Sequence, residues 1–162
     1  MPETDENVIQ EGRQADKSIR TRRVSSGAVW EPIVGYSRAV AAGDFIFVSG
    51  CTSIAGAEFL HPDDAYAQTA QAIANVESAL VALGASLADV VRTRVYVTDI
   101  GRWQEVGRAH GEAFAGVMPA SSMIGVVALV DPRMLVEVEA VAYRKGAGSG
   151  SPSGAPSGDD VL

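Results

Sequence analysis

Two carboxylates and a pair of hydroxyls are the residues of this chain whose types and spacing most invite chemistry. In MLVEVEAVAYR, Leu135, Glu137, Glu139 and Val141 alternate with Met134, Val136, Val138 and Ala140, so on an extended strand both glutamates project from one face. Neighbouring acids can handle protons, or they can pair across a sheet with the arginines of DVVRTRVYV, where Arg92 and Arg94 alternate in the same way. Glu139 reads as such a partner; for Glu137, pairing and chemistry both stay open. In MPASSMIGV, Ser121 and Ser122 follow a proline at the head of an apolar run, and are either ligand-contacting hydroxyls or a polar strand start. Cys51 closes DFIFVSGC and shares a face with Ser49 by period-two alternation. A lone cysteine with no evident histidine partner reads as a small hydrophobe rather than a nucleophile. Trp30 in GAVWEP either caps the core or walls a pocket. His110, spaced with Val106 and Phe114, reads as a core or interface residue, and His61, beside Pro62, as loop surface.

Composition limits what those residues can do. The chain has 162 residues, 47% hydrophobic and 20% charged, which suits one domain with a real core. Its single cysteine excludes an intrachain disulfide and a multi-cysteine zinc site, and its two histidines lack ligand spacing, so no metal is expected. A formal net charge of −7 argues against a nucleic-acid partner, whose phosphates are met by Lys and Arg. No apolar run approaches the roughly 20 residues of a membrane span. The start, MPETDENVIQEGRQADK, has neither the basic head nor the apolar centre of a signal peptide, so no membrane partner and a cytoplasmic location are expected.

The pattern of elements that must hold the site is dense between two polar ends. Residues 1–20 and the Gly/Ser/Pro-rich 146–162 are expected to be disordered, leaving 21–145 as the domain. YSRAV and DFIFVSG flank the turn signal AAGD, so Tyr36 to Gly50 reads as a hairpin. Asp63 or Asp64 caps a helix ending at Gly84, with Tyr66, Ala70, Ile73, Val76, Leu80 and Leu83 as its apolar stripe. DVVRTRVYV is a strand with Val91, Thr93, Val95 and Val97 on one face. A second helix runs from near Gly101 to Ala115, burying Trp103, Val106, His110 and Phe114. SSMIGVVALV and MLVEVEAVAYR are strands joined across DPR. The order implies an α+β mixed sheet with both helices on one face, and the bare face calls for self-association.

Taken together, GYSRAV, GDFIFVSG, NVESALVALGASLADVVRTRVYVTD, MPAS and VEVEAVA resemble the RidA family, also called the YjgF or reactive intermediate deaminase family, over residues 24–144. The resemblance implies a chorismate-mutase-like fold and a homotrimer with inter-subunit clefts that take a small-molecule metabolite without a cofactor. In that family an arginine directly after Pro-Ala holds a substrate carboxylate, and a last-strand glutamate helps position water that attacks a 2-imino acid. Carried across, Tyr36, Ser49 and Glu137 fall on matching cleft positions, and Cys51 stands where many members place a glutamine; Glu137 and Tyr36 are the candidate catalytic residues, and Ser49, Cys51, Ser121, Ser122 and Trp30 the candidate substrate-binding ones. Ser121 stands where the arginine is usual, and a hydroxyl supplies no positive charge. Standard 2-iminoacrylate deamination is therefore not expected. The implied activity is deamination, hydration or tautomerisation of an imine, enamine or related unsaturated carbonyl compound. The alternatives are a non-catalytic metabolite-binding trimer or a pathway-specific biosynthetic tailoring protein. Arg38 reads as a surface or interface residue, able in principle to restore the charge from another wall. An endoribonuclease activity attaches to some relatives, but the acidic charge and the lack of a basic, aromatic-lined patch argue against it here.

Overall fold

The computed structural model describes residues 20–149. Its strands are β1 (Thr21–Val24), β2 (Ala39–Ala42), β3 (Phe45–Cys51), β4 (Ile54–Ala55), β5 (Glu58–Phe59), β6 (Val90–Val97), β7 (Ala120–Gly125) and β8 (Val136–Tyr143). The helices are α1 (Trp30–Val34), α2 (Ala65–Ala82) and α3 (Trp103–Ala113). Six strands form one mixed sheet in the order β1-β2-β3-β8-β6-β7, antiparallel except for the parallel β6–β7 pair, while β4 and β5 form a separate ribbon. The expected hairpin is β2–β3, turning at Gly43 with φ 60°, a conformation glycine adopts without strain. β7 and β8 are not neighbours: the connection 126–135 crosses β6, which lies between them, so DPR joins no hairpin.

α2 begins at Asp64, whose side chain accepts from Ala67 N at 2.8 Å and satisfies one of the free N–H groups of the first turn. Ala72, Ile73, Val76, Ala79 and Leu80 pack against β8, β3 and α3. Of the expected stripe, Ile73, Val76, Leu80 and Leu83 are buried, but in the first turns Ala70 is exposed and Tyr66 only half-buried, while Ala65, Gln68 and Thr69 are inside. α3 follows a 3₁₀ turn at Ile100–Arg102 and buries Val106, Ala109 and Phe114, but Trp103 stays outside at 54% exposure. Ile46, Val48, Val95, Val138 and Ala140 complete the core from the sheet side.

Two bulges reset the alternation that the sequence implies. Between Val90 and Arg92 the pairing with β8 slips by one residue, so Val90 is buried and Val91 is not, contrary to the simple period-two reading. Between Val48 and Cys51, Ser49 and Gly50 face the single residue Glu139. Cys51 therefore joins the buried row of Ile46 and Val48 rather than sharing a face with Ser49.

The opposite sheet face carries Phe45, Phe47 and Tyr143, each more than 40% exposed, the Phe45 ring lying 6.4 Å from that of Phe47 in a tilted pair and 5.3 Å from that of Tyr143 edge-on. At the C-terminal end of the described residues, Gly146 N donates to Asp44 Oδ1 and Gly148 N to Gly43 O, both at the β2–β3 turn, and Ala147 is buried. The rest of both expected tails lies outside the described residues. No helix among the described residues is long and apolar enough to cross a membrane.

Candidate functional site

The bulged end of β3 opens a cavity of about 700 Å³. Trp30 and Val34 of α1, Tyr36 and Arg38 ahead of β2, Ser49, Gly50 and Cys51 of β3, Ala79 and Ala82 of α2, Met134 and Glu137 all line it. Bulges re-aim side chains and free backbone groups from the ladder, and both effects occur here. The carbonyls of Ser49 and Gly50 accept from Arg38 Nη1 at 3.2 and 2.6 Å, and Cys51 Sγ lies 3.3 Å from the same nitrogen. Arg38 Nη2 reaches Tyr36 Oη at 3.2 Å, with the guanidinium 5.6 Å from the centre of the Tyr36 ring. Arg38 is thus half-buried and lines the cavity, where the expectation was a surface or interface residue able in principle to bring charge from another wall.

Glu137 and Glu139 occupy the same strand face and take opposite roles. Glu139 Oε1 accepts from Arg94 Nη1 at 2.5 Å. Glu137 makes no ion pair among the described residues. Burial pushes the Glu137 carboxyl above its ordinary value, the negative charge of Glu139 pushes further, and the positive field of Arg38 pulls back. Its seat depends on Gly50: a Cβ there would come within 1.9 Å of Glu137 Oε1 and 2.6 Å of its carboxyl carbon.

The remaining candidates divide. Ser49 lines the cavity and its Oγ donates to Ser37 O at 2.8 Å. Cys51 lines it too, but burial pushes its thiol up, with Arg38 pulling down and Glu137 pushing up, which disfavours the nucleophilic thiolate. Trp30 walls the cavity and is half exposed. Ser121 and Ser122 do not line this cavity; they sit on β7, paired with Thr93 and Arg94 of β6. Thr93 Oγ1 donates to Ser121 Oγ at 2.9 Å and also lies 2.9 Å from His110 Nε2. Burial lowers the His110 pKa, so its ring favours the neutral form, stacked near Phe114. His61 is exposed, as expected of a loop residue. Among the described residues, no three His, Cys, Asp or Glu side chains are placed to hold a metal ion.

Several supports of the cavity carry no local sequence signal. Gln68 is fully buried: its Nε2 donates to His61 O and Arg133 O, both at 3.0 Å, and its Oε1 accepts from Leu135 N at 2.8 Å. It ties α2 to the connection that carries Met134. Asn75 Nδ2 donates to Thr52 O and Ile54 O at 2.9 and 2.7 Å, pinning the chain that leaves β3. Glu31 is buried, and its carboxylate accepts from Ser25 Oγ, from Ser26 N at 2.9 Å and from Ser26 Oγ at 2.7 Å. Burial alone would raise its pKa; these donors, with Arg38 beyond them, outweigh that and lower it.

Residues 27–144 match the family model described as Endoribonuclease L-PSP. The chain is 40% identical over 127 residues to an uncharacterised protein of Streptomyces coelicolor, covering 78% of this chain and 95% of that one. It is 33% identical over 116 residues to a RutC family protein of Pyrococcus horikoshii, covering 71% of this chain and 91% of the relative. The crystal structure of a Mycobacterium tuberculosis member of the YjgF/YER057c/UK114 family superposes with a TM-score of 0.70 at 50% identity, over 76% of this chain and 98% of that one.

Proposed function

The chain belongs to the RidA/YjgF family, and from that premise we propose that its cavity is the active site of a cofactor-independent enzyme acting on a small imine, enamine or related unsaturated carbonyl compound. Family membership supports a small-molecule-binding or deaminase-like role. The observation that carries the finer reading is Glu137: a carboxyl with no ion-pair partner among the described residues, its proton affinity raised by burial, facing a cavity with a cation opposite. A carboxyl so tuned exchanges protons closer to neutral pH than an ordinary one. It takes a proton from water as the oxygen adds to the imine carbon and passes it to the nitrogen, giving a carbinolamine; it then carries the second proton from the new hydroxyl to the nitrogen as the C–N bond breaks, releasing a carbonyl product and ammonia. Stopping at the carbinolamine is hydration, and moving a proton between the nitrogen and carbon of an enamine with no water added is tautomerisation. Tyr36 Oη, oriented by Arg38, and Ser49 are the neighbouring hydroxyls.

The assembled form is proposed to be a homotrimer, supported by the exposed aromatic face of the sheet. In it, Ser121 and Ser122 would stand at a cleft wall from β7, where a hydroxyl cannot replace a guanidinium. Imines generated in place from a panel of amino acids by an amino-acid oxidase test the reading: wild type should accelerate hydrolysis of at least one, and Glu137→Gln should remove at least about 99% of that rate. Tight, saturable binding with no turnover of any panel member would favour the metabolite-binding alternative. Cleavage of single-stranded RNA by wild type, lost in Glu137→Gln, would move the substrate class altogether.

A further inference from the structure

His110, Thr93 and Ser121 form a hydrogen-bonded row, and none of them lines the cavity. Thr93 Oγ1 on β6 lies 2.9 Å from His110 Nε2 on α3 and 2.9 Å from Ser121 Oγ on β7. Thr93 is fully buried, His110 half-buried and Ser121 exposed, so the row leads from a sheltered base to a hydroxyl open to solvent. Each hydroxyl has one hydrogen, and the imidazole sets its direction. With the ring proton on Nε2, Thr93 donates to Ser121; with it on Nδ1, Ser121 donates to Thr93 and Thr93 to the bare Nε2. The second arrangement points the whole row at a base, as a serine nucleophile requires.

His110 is suited to that task. Burial lowers its pKa, with no charged side chain among the described residues adding to the shift, so the ring is predominantly neutral at pH 7. The Phe114 ring, 4.7 Å away, packs beside it. Within one chain the row is set apart from Glu137. Thr93 pairs with Ala140 of β8 and with Ser121 of β7, which puts Ser121 on the buried, helix-covered side of the alternation, whereas Glu137 pairs with Tyr96 on the other. β7 is also the outer strand of its sheet, with β6 on one side only. Alternate N–H groups of such an edge have no ladder partner and are free to hold an oxyanion.

We propose that Ser121 is an acyl-accepting nucleophile, with His110 as its base through Thr93, and that it takes small acyl groups from activated esters or thioesters. Ser121 Oγ adds to the carbonyl carbon as its proton passes to Thr93 and the Thr93 proton passes to His110 Nε2. The bond to the leaving oxygen or sulfur then breaks, and His110 returns the proton along the row to that atom. The products are acyl-Ser121 and the free alcohol or thiol; water entering by the same proton path releases the acid and restores the serine. An exposed serine holds its substrate by few contacts, so the leaving group must be a good one.

p-Nitrophenyl acetate, with acid quench and peptide mass mapping, tests it. Wild type should release p-nitrophenol and carry acetyl on Ser121, and Ser121→Ala should lose that acetylation site. Thr93→Val, which keeps the shape of the buried side chain but breaks the row, and His110→Gln should each slow acetylation of Ser121 about ten- to a thousandfold, while Thr93→Ser should keep most of the rate. A pH profile separates proton transfer from packing: on acidification the wild-type rate should fall through an inflection below the ordinary histidine value of 6.5, and His110→Gln should lack that inflection. A thermal melt accompanies each variant; should Thr93→Val not fold, His110→Gln, Thr93→Ser and the pH profile decide. Acetylation of other residues with none at Ser121, or a Ser121 rate untouched by His110→Gln, would overturn the proposal.

Discussion

Replacing Gly50 by alanine is the smallest change that tests whether the seat of Glu137 matters. An added Cβ would lie 1.9 Å from Glu137 Oε1 and 2.9 Å from its Cγ, with no backbone atom among its nearest contacts. Ordinary contact begins near about 3.5 Å, so the carboxylate must withdraw by roughly 1.5 Å. Gly50 is not in the left-handed region, so the alanine backbone itself is unstrained. Global stability should stay within about 1 kcal/mol of wild type, since alanine also narrows the unfolded ensemble. A misplacement of about 1 Å in a reacting group can cost about a hundredfold in rate, close to 2.7 kcal/mol of barrier. Urea unfolding and kcat on the substrate found in the imine panel are the two measurements. A stable Gly50→Ala protein with full turnover would refute the claim that Glu137 acts from the position over Gly50.

Gln68→Leu leaves Leu135 N and the carbonyls of His61 and Arg133 without their amide partner, and should lower unfolding free energy by about 2–4 kcal/mol; a loss below about 1 kcal/mol in urea would show that the tie is not needed. Glu137→Gln should raise Tm at pH 8. The folded-state pKa of Glu137 is above its ordinary 4.5, so the folded protein holds the proton more tightly and loses stability as pH rises from 4.5 through that raised value. The gain should therefore shrink to nothing below pH 4.5, and an equal gain at every pH would show that it does not come from ionisation. Cys51 should react with iodoacetamide at pH 8 at least about a hundredfold more slowly in folded than in urea-unfolded protein, because burial both covers the thiol and raises its pKa. Comparable rates would contradict its place in the core.

The elements legible in the sequence are those whose signals are local. The β2–β3 turn announces itself by AAGD, the start of α2 by Asp64, and the division of the last strand into two faces by its strict alternation. What escaped depends on contacts made across the sheet. A bulge is decided by how two strands register, so neither the exposure of Val91 nor the turn of Cys51 into the core could be read from the spacing of either strand alone. Arg38 precedes its strand, where alternation has nothing to count from, and its inward path follows from the two carbonyls that the bulge releases. Gln68 looked polar on an apolar helix; only a distant connection makes it a core residue. Conversely, the pairing of Glu139 with Arg94 was readable because both strands keep their register there.

A titration of the Glu137 carboxyl, followed by carbon-13 NMR and assigned by the signal that Glu137→Gln removes, tests most directly whether the cavity carries a proton-handling acid. Its midpoint should lie above the ordinary 4.5 in wild type, and higher still in Arg38→Lys if the shorter reach of lysine weakens the opposing positive field, or in Arg38→Met where that field is gone. A wild-type midpoint at or below 4.5 would contradict the account.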